Sequence, residues 1–326
     1  MASYSTFLIQ SSPYFMKTKT SELRNLLATT EMLTITGCHD ALSARLAEQA
    51  GFPAVFMSGF AVSATRLAMP DTGLISFGEL LDQGRTIANA ITIPLFGDGD
   101  TGFGNAMNIK RTVREYAQAG FACIMLEDQV SPKRCGHTRG KSVVDRDEAL
   151  LRIRAAVDAR DEGADILIMA RTDARATHGL DEAIERCQTF VELGADITFL
   201  EAPESIDEMQ RYCREVPGYK MVNLIEHGKT PILPRAALAA MGFKIAVYPL
   251  TLLNVSIKAM REALMTLQGE NMPSVLPFSE LTEAVGFNDY YAQEDRYKPS
   301  NWHADLVRLK RWKDCEMNAG WNHHCW

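Results

Sequence analysis

The fold class this sequence predicts is α/β: a TIM-type barrel of eight β/α units, followed by a C-terminal helical extension. Three observations predict it. A helical segment ending in Gly, then an aromatic residue or Ala, then a short β-rich run, recurs along the chain. The runs are apolar throughout instead of alternating, as parallel strands covered on both faces are. Polar residues gather after the carboxyl ends of those runs, which is where such a barrel carries its chemistry.

Taken in order, residues 1–31 are rich in Ser and Thr, poor in acids, and have no Arg before Arg24. They read as an N-terminal arm, disordered or touching another subunit, in preference to a transit peptide. Met32–Thr36 is the first predicted strand. Leu46–Gly51–Phe52 leads into Ala54–Met57, and Ile91–Phe96 supplies the third run. Tyr116–Gly120–Phe121 precedes Ala122–Leu126, Glu162-Gly163-Ala164 precedes Ile166–Ala170, and Leu193-Gly194-Ala195 precedes Ile197–Leu200. Lys220–Leu224 and, after Met241-Gly242-Phe243, Lys244–Tyr248 complete the set. Each Gly suits the left-handed position that closes a helix before a tight turn. Residues 32–268 form the predicted barrel, 269–299 the helical extension and 300–326 a tail. A doubly wound open sheet is the alternative, disfavoured because no glycine-rich dinucleotide turn follows the first strand.

Bulk properties narrow the function. The 326 residues are 46% hydrophobic and 23% charged, with a net charge of −7. That balance argues against a nucleic-acid partner, but not against a small anion that needs only local positive charge. No apolar run approaches the roughly 20 residues of a membrane span. Seven irregularly spaced cysteines read as reduced, so a cytoplasmic location is expected.

The strand ends carry the candidate site. Gly97–Gly104 places Asp98 and Asp100 one residue apart among four glycines, directly after the third run. Close carboxylates of this kind face solvent, meet a cation or bind a hard metal. Ser58-Gly59-Phe60, Glu127-Asp128-Gln129, Arg171-Thr172-Asp173, Glu201-Ala202-Pro203 and Asn223 end other strands. Asp98, Asp100 and Glu127 offer oxygen without nearby thiolate or imidazole, which suits Mg²⁺ or Mn²⁺. Arg171 is a fork for a substrate carboxylate, although Glu127 could instead pair with it. The basic loop Ser131–Lys141 reads as a lid. Its Cys135 lies among Lys133, Arg134 and His137, surroundings expected to lower a thiol pKa. Nucleophile and carbanion-protonating acid are both open roles for Cys135 on these grounds.

These motifs, with Lys133-Arg134-Cys135-Gly136-His137 and Thr230-Pro231, resemble the isocitrate lyase / phosphoenolpyruvate mutase superfamily over roughly residues 20–300. The Cys loop is similar to that of the carbon–carbon lyase branches. The resemblance implies a homotetramer, a dimer of helix-swapped dimers, acting on a small di- or tricarboxylate. It implies Mg²⁺ or Mn²⁺ at Asp98, with Asp100 and Glu127 acting through water and Asp71 nearby. Backbone donors at Ser58, Gly59 and Phe60 would meet the α-keto acid portion. Arg171, Glu201 and Asn223 would complete the pocket, and Gly136 and His137 would bind carboxylate. Cys135 would protonate the departing enolate. Phe56 stands where isocitrate and methylisocitrate lyases carry Tyr, so the base is unassigned. The chain looks more like 2-alkylmalate or 2,3-dimethylmalate lyases and oxaloacetate hydrolases. A carboxyphosphonoenolpyruvate mutase is the remoter reading.

Overall fold

A computed structural model describes residues 18–138 and 140–298. Eight parallel strands close into a barrel in chain order. They are β1 Leu33–Cys38, β2 Val55–Met57, β3 Leu95–Asp98, β4 Cys123–Glu127, β5 Leu167–Thr172, β6 Ile197–Leu200, β7 Tyr219–Asn223 and β8 Ile245–Tyr248. β8 returns to β1 along the register Leu33–Ile245 to Thr36–Tyr248.

The period-two alternation of a strand explains why the runs are apolar throughout. One parity (Ile35, Phe56, Phe96, Met125, Met169, Phe199, Met221 and Val247) packs into the barrel interior. The other parity on the first five strands, such as Val55, Leu95, Ile124 and Ile168, packs outward among the helices. Both faces are dry, so they are mostly apolar, and the polar exceptions are paired: Thr198 Oγ1 meets Tyr212 Oη and Lys220 Nζ donates to Val216 O, each at 2.8 Å.

Two expectations need correction. Residues 18–31 do not form an arm: Lys19–Thr29 is a helix whose Leu23 and Leu27 are buried with the barrel-interior side chains. Thr18 caps it by accepting the Ser21 N–H at 3.1 Å. Thr20 Oγ1 donates to Asp165 O at 2.8 Å, and Lys19 Nζ donates to Ala88 O and Ile91 O. The apolar spacing of Leu23, Leu26 and Leu27 drives this docking, which the Ser/Thr-rich composition obscured. Residues 1–17 lie outside the described residues.

The third strand is also displaced from the expected Ile91–Phe96. Ile91 closes the helix Phe77–Ala90. Thr92 and Ile93 donate their N–H groups to Glu48 Oε1 at 2.8 and 3.3 Å, and Pro94 has no N–H for a ladder. The strand therefore begins at Leu95 and runs on to Asp98, which becomes a strand-end residue.

The chain divides into two compact units, Met1–Arg261 and Glu262–Trp326. The division falls inside the helix Thr251–Gln268, a few residues before the expected boundary. Helices Phe278–Ala284 and Phe287–Arg296 follow in the second unit. The tail from residue 300 on lies outside the described residues.

Candidate active site

Extending the inward parity by one step past the last apolar layer gives the site. Two residues beyond Phe56, Phe96, Met125, Met169, Phe199 and Met221 stand Ser58, Asp98, Glu127, Arg171, Glu201 and Asn223. The barrel thus ends in a polar layer at the carboxyl ends of its strands, and the register sets Glu127 beside Arg171.

Asp98 is fixed by backbone donors. Gly59 N–H donates to its Oδ2 at 3.2 Å and Asp100 N–H to its Oδ1 at 3.0 Å. Tyr116 Oη donates to its carbonyl at 2.8 Å. A side chain at Gly59 would put Cβ 2.6 Å from Asp98 Oδ2, so only glycine lets the helix Gly59–Leu67 approach this closely. That helix start also favours a negative charge. Asp100 takes the left-handed conformation with φ 45°. Burial pushes its carboxyl up to about 6; Lys133 opposes the shift, and Asp98 and Asp71 add to it. Glu127 is pushed well above the usual carboxylate range, chiefly by burial, against the pull of Arg171 and Lys133.

Lys133 reaches from the loop into this cluster. Its Nζ lies 2.7 Å from Asp71 Oδ2 and 2.9 Å from Asp100 Oδ1. Lys133 thus sits against the oxygens of Asp71 and Asp100, while Glu127 Oε1 is buried without a hydrogen-bond donor. Among the described residues, no three His, Cys, Asp or Glu groups converge closely enough to grip a metal together. Oxygen-only donors that do not converge, one of them unpartnered, fit a hard cation held by one or two carboxylates, with waters filling its remaining positions.

Arg171 forms the opposite wall. Its Nε donates to Asp173 Oδ2 at 2.8 Å and its Nη2 to Asp173 Oδ1 at 3.2 Å. Glu127 Oε2 lies 3.3 Å from its Nε and Glu201 Oε2 3.7 Å from its Nη2. The guanidinium lies 5.4 Å from the Phe199 ring centre. Asp173 is held in turn: its N–H donates to Asp128 Oδ1 at 2.9 Å. Arg186 Nη1 donates to Asp128 Oδ2 at 3.0 Å.

The described residues of the loop Ser131–Lys141 lie over the recess, where Lys133, Cys135, Gly136 and His137 line it. Gln129 clamps the base of the loop, donating to Arg134 O at 2.8 Å and accepting the Arg134 N–H at 3.0 Å. His137 Nδ1 accepts the Lys229 N–H at 3.2 Å, and its Nε2 lies 2.9 Å from Glu201 Oε1. Thr138 N–H and Oγ1 both donate to Cys135 O. Lys141 Nζ donates to Gly136 O and to Asp173 Oδ1.

The expected acidic thiol is corrected. Burial is the main cause that pushes Cys135 up to about 11; Glu201 and Asp71 add to it, while the His137 N–H and Arg171 oppose it. The loop lysines form ion pairs with carboxylates, so their proximity in sequence does not stabilise a thiolate. A half-buried thiol kept protonated suits a proton donor, not a nucleophile.

Ser58, Phe60, Asp71, Asp98, Cys135, Gly136, His137, Arg171, Glu201 and Asn223 line one recess, while Gly59, Asp100 and Glu127 stand outside its lining. The expected run of backbone donors is also corrected. Ser58 N–H is spent on Cys38 O and Gly59 N–H on Asp98. Ser58 Oγ caps the helix through Ala61 N–H at 3.3 Å. Among the described hydrogen bonds, Phe60 N–H alone of the three has no protein acceptor.

Sequence reasoning missed the lysines as counter-ions, together with the Asp128–Arg186 support. The excess of carboxylates over cations at the strand ends was the available signal. It also missed the apolar wall of Phe56, Met125, Met221 and Leu250, three of which the inward parity marks.

The profile of the family described as phosphoenolpyruvate phosphomutase matches residues 23–268. The chain is 43% identical to the 2,3-dimethylmalate lyase of Eubacterium barkeri over 85% of its own length and 97% of that protein. It is 42% identical to the chloroplastic carboxyvinyl-carboxyphosphonate phosphorylmutase of Arabidopsis thaliana, over 80% and 79% of the two chains. It also resembles a solved oxaloacetate acetylhydrolase in complex with the inhibitor 3,3-difluorooxalacetate. That match has a TM-score of 0.82 at 35% identity and covers 85% of this chain and 96% of the other.

Proposed function

Because this chain belongs to the phosphoenolpyruvate mutase / isocitrate lyase superfamily of carbon–carbon lyases and mutases, we propose that it is a metal-dependent lyase of 2-hydroxy diacids, of the 2-alkylmalate kind. The observation that carries the reading is the placement of Cys135, whose thiol burial pushes up to about 11, on a loop over the recess that Asp98 and Arg171 also line. A phosphonate mutase has no need of a proton donor there. The apolar wall of Phe56, Met125, Met221 and Leu250 suits alkyl substituents, which oxaloacetate lacks.

In the proposed reaction Arg171 holds a substrate carboxylate and Phe60 N–H offers a further donor. The 2-hydroxyl loses its proton, its oxygen becomes a carbonyl, and the C2–C3 bond electrons move to C3. Cys135 Sγ–H gives its proton to that enolate carbon, and Arg171 and the His137 N–H offset the thiolate that remains. Phe56 has no ionisable group, so the base that takes the hydroxyl proton lies elsewhere. Asp98 would hold Mg²⁺ or Mn²⁺, with Asp100, Glu127 and Asp71 acting through water. When bound, the ion would bind the hydroxyl and adjacent carboxylate and favour loss of the hydroxyl proton.

Incubation of Mg²⁺-loaded protein with 2,3-dimethylmalate should yield pyruvate and propionate by NMR. Oxalate and acetate from oxaloacetate, with dimethylmalate untouched, would replace the lyase by a hydrolase. Phosphorus transfer without carbon–carbon cleavage would replace both by a mutase.

We further propose a cytoplasmic homotetramer assembled as helix-swapped dimers. In support, Met260, Leu264, Met265, Phe278 and Tyr290 expose large apolar surface that a second copy could cover. No described helix is long and apolar enough to cross a membrane. Light scattering on the full chain tests the assembly.

A further inference from the structure

Arg171 is an anion receptor placed among carboxylates. Asp173 grips it with two hydrogen bonds, and Glu127 and Glu201 lie within 3.7 Å. Asp173 and Glu201 together offset the charge of the guanidinium, which weakens its attraction for a dianion unless a second cation joins them.

The lid supplies that cation. Lys141 Nζ sits 2.9 Å from Asp173 Oδ1, with the two side chains only 3% and 0% exposed. It acts on the same oxygen that accepts from Arg171 Nη2. The same ammonium holds the carbonyl of Gly136, the lid residue packed against Arg171 and Glu201. Other nearby cations are committed elsewhere. Lys133 pairs with Asp71 and Asp100, Arg175 with Glu204 and Glu208, and Lys229 with Glu204. Asp173 is tethered by its own N–H to Asp128.

We propose that Lys141 is a positioning residue that acts through Asp173 on Arg171: lid closure carries its ammonium onto Asp173, offsets that carboxylate and leaves more of the Arg171 charge for a dicarboxylate dianion. The lid in this scheme switches the charge of the recess as well as excluding water. The inference rests on the reading of the recess as a dicarboxylate site, and not on which diacid is cleaved.

The test is calorimetric titration of the full-length Mg²⁺-loaded protein with oxalate, for wild type, Lys141→Met and Lys141→Arg. Lys141→Met should weaken oxalate binding by about tenfold or more, and Lys141→Arg should hold it within about threefold of wild type. Lys141→Met combined with Asp173→Asn, which removes the charge that needs cancelling, should recover affinity relative to Lys141→Met alone. That recovery is a result that loss of packing would not produce. Lys141→Met binding within about twofold of wild type, failure of the Arg variant to restore binding, or wild type that ignores oxalate would each overturn the inference. Lys141-dependent oxalate binding without cleavage of any diacid would keep it and remove the lyase reading. Cleavage with an unchanged KM in Lys141→Met would do the reverse.

Discussion

Gly136→Ala tests whether the lid truly closes onto the chemistry. The φ of Gly136 is outside the left-handed region, so its backbone alone would tolerate alanine. Space is the obstacle. The new Cβ would lie 2.5 Å from Arg171 Nη2 and from Glu201 Cδ and Oε1, where ordinary contact starts at 3.4 Å. Neither neighbour can yield, because Arg171 is pinned by Asp173, while Glu201 N–H is tied to Thr172 O and its Oε1 faces His137. The lid must therefore withdraw by about 1 Å. A displacement of that size at a positioning group costs about 100-fold in rate, equivalent to about 2.7 kcal/mol of transition-state stabilisation. The assay is steady-state kcat/KM with 2,3-dimethylmalate beside a thermal melt of the unliganded chain. The melt should change little, since moving the loop relieves the clash and leaves the barrel core intact. A variant with kcat/KM within about threefold of wild type would refute the closed geometry.

Other consequences can be checked in parallel. Cys135→Ala should lower turnover by about 100- to 10,000-fold with oxalate affinity retained; unchanged turnover removes the thiol from the chemistry. Since burial pushes that thiol up to about 11, iodoacetamide should alkylate it slowly near neutral pH and faster as pH approaches that value. Fast labelling near neutrality would contradict its being a proton donor. Leu23→Ala should cost about 2–5 kcal/mol in urea unfolding with KM unaffected, because Leu23 is buried with the barrel-interior side chains; a negligible cost would mean that the N-terminal helix is not part of the core. Asp173 is fully buried, yet Arg171 and Lys141 outweigh that burial and hold its carboxyl at about 2 against an ordinary 3.8. A depressed carboxylate contributes stability above its unfolded pKa and loses it as pH falls through its folded one. The Tm gap between wild type and Asp173→Asn should therefore narrow between about pH 4 and about pH 2, and a gap constant across that window would count against the pairing.

What could be read in the sequence was what repeats or lies close in the chain. The Gly-closed helices and apolar runs recur because each β/α unit solves the same local problem, so the barrel was legible. The polar residues that follow each run were legible for the same reason, and they located Asp98, Glu127, Arg171, Glu201 and Asn223. Composition misled where spacing held the information: Leu23, Leu26 and Leu27 make a docked helix inside a Ser/Thr-rich stretch. Pro94 and the Glu48 clamp moved the third strand toward Asp98, and the clamp comes from more than forty positions away.

Charge pairing was beyond the sequence altogether. Lys133 and Lys141 look like a basic neighbourhood for Cys135, yet folding directs them to Asp71, Asp100 and Asp173. The thiol they leave behind is governed by burial and stays protonated. A pKa depends on solvent exclusion and on charges a few ångströms away, and neither quantity is a function of distance along the chain. The sequence by itself determined the barrel and the ring of strand-end residues. Only the tertiary structure decided which ions meet, and therefore that burial raises the Cys135 thiol and that the loop lysines pair with carboxylates.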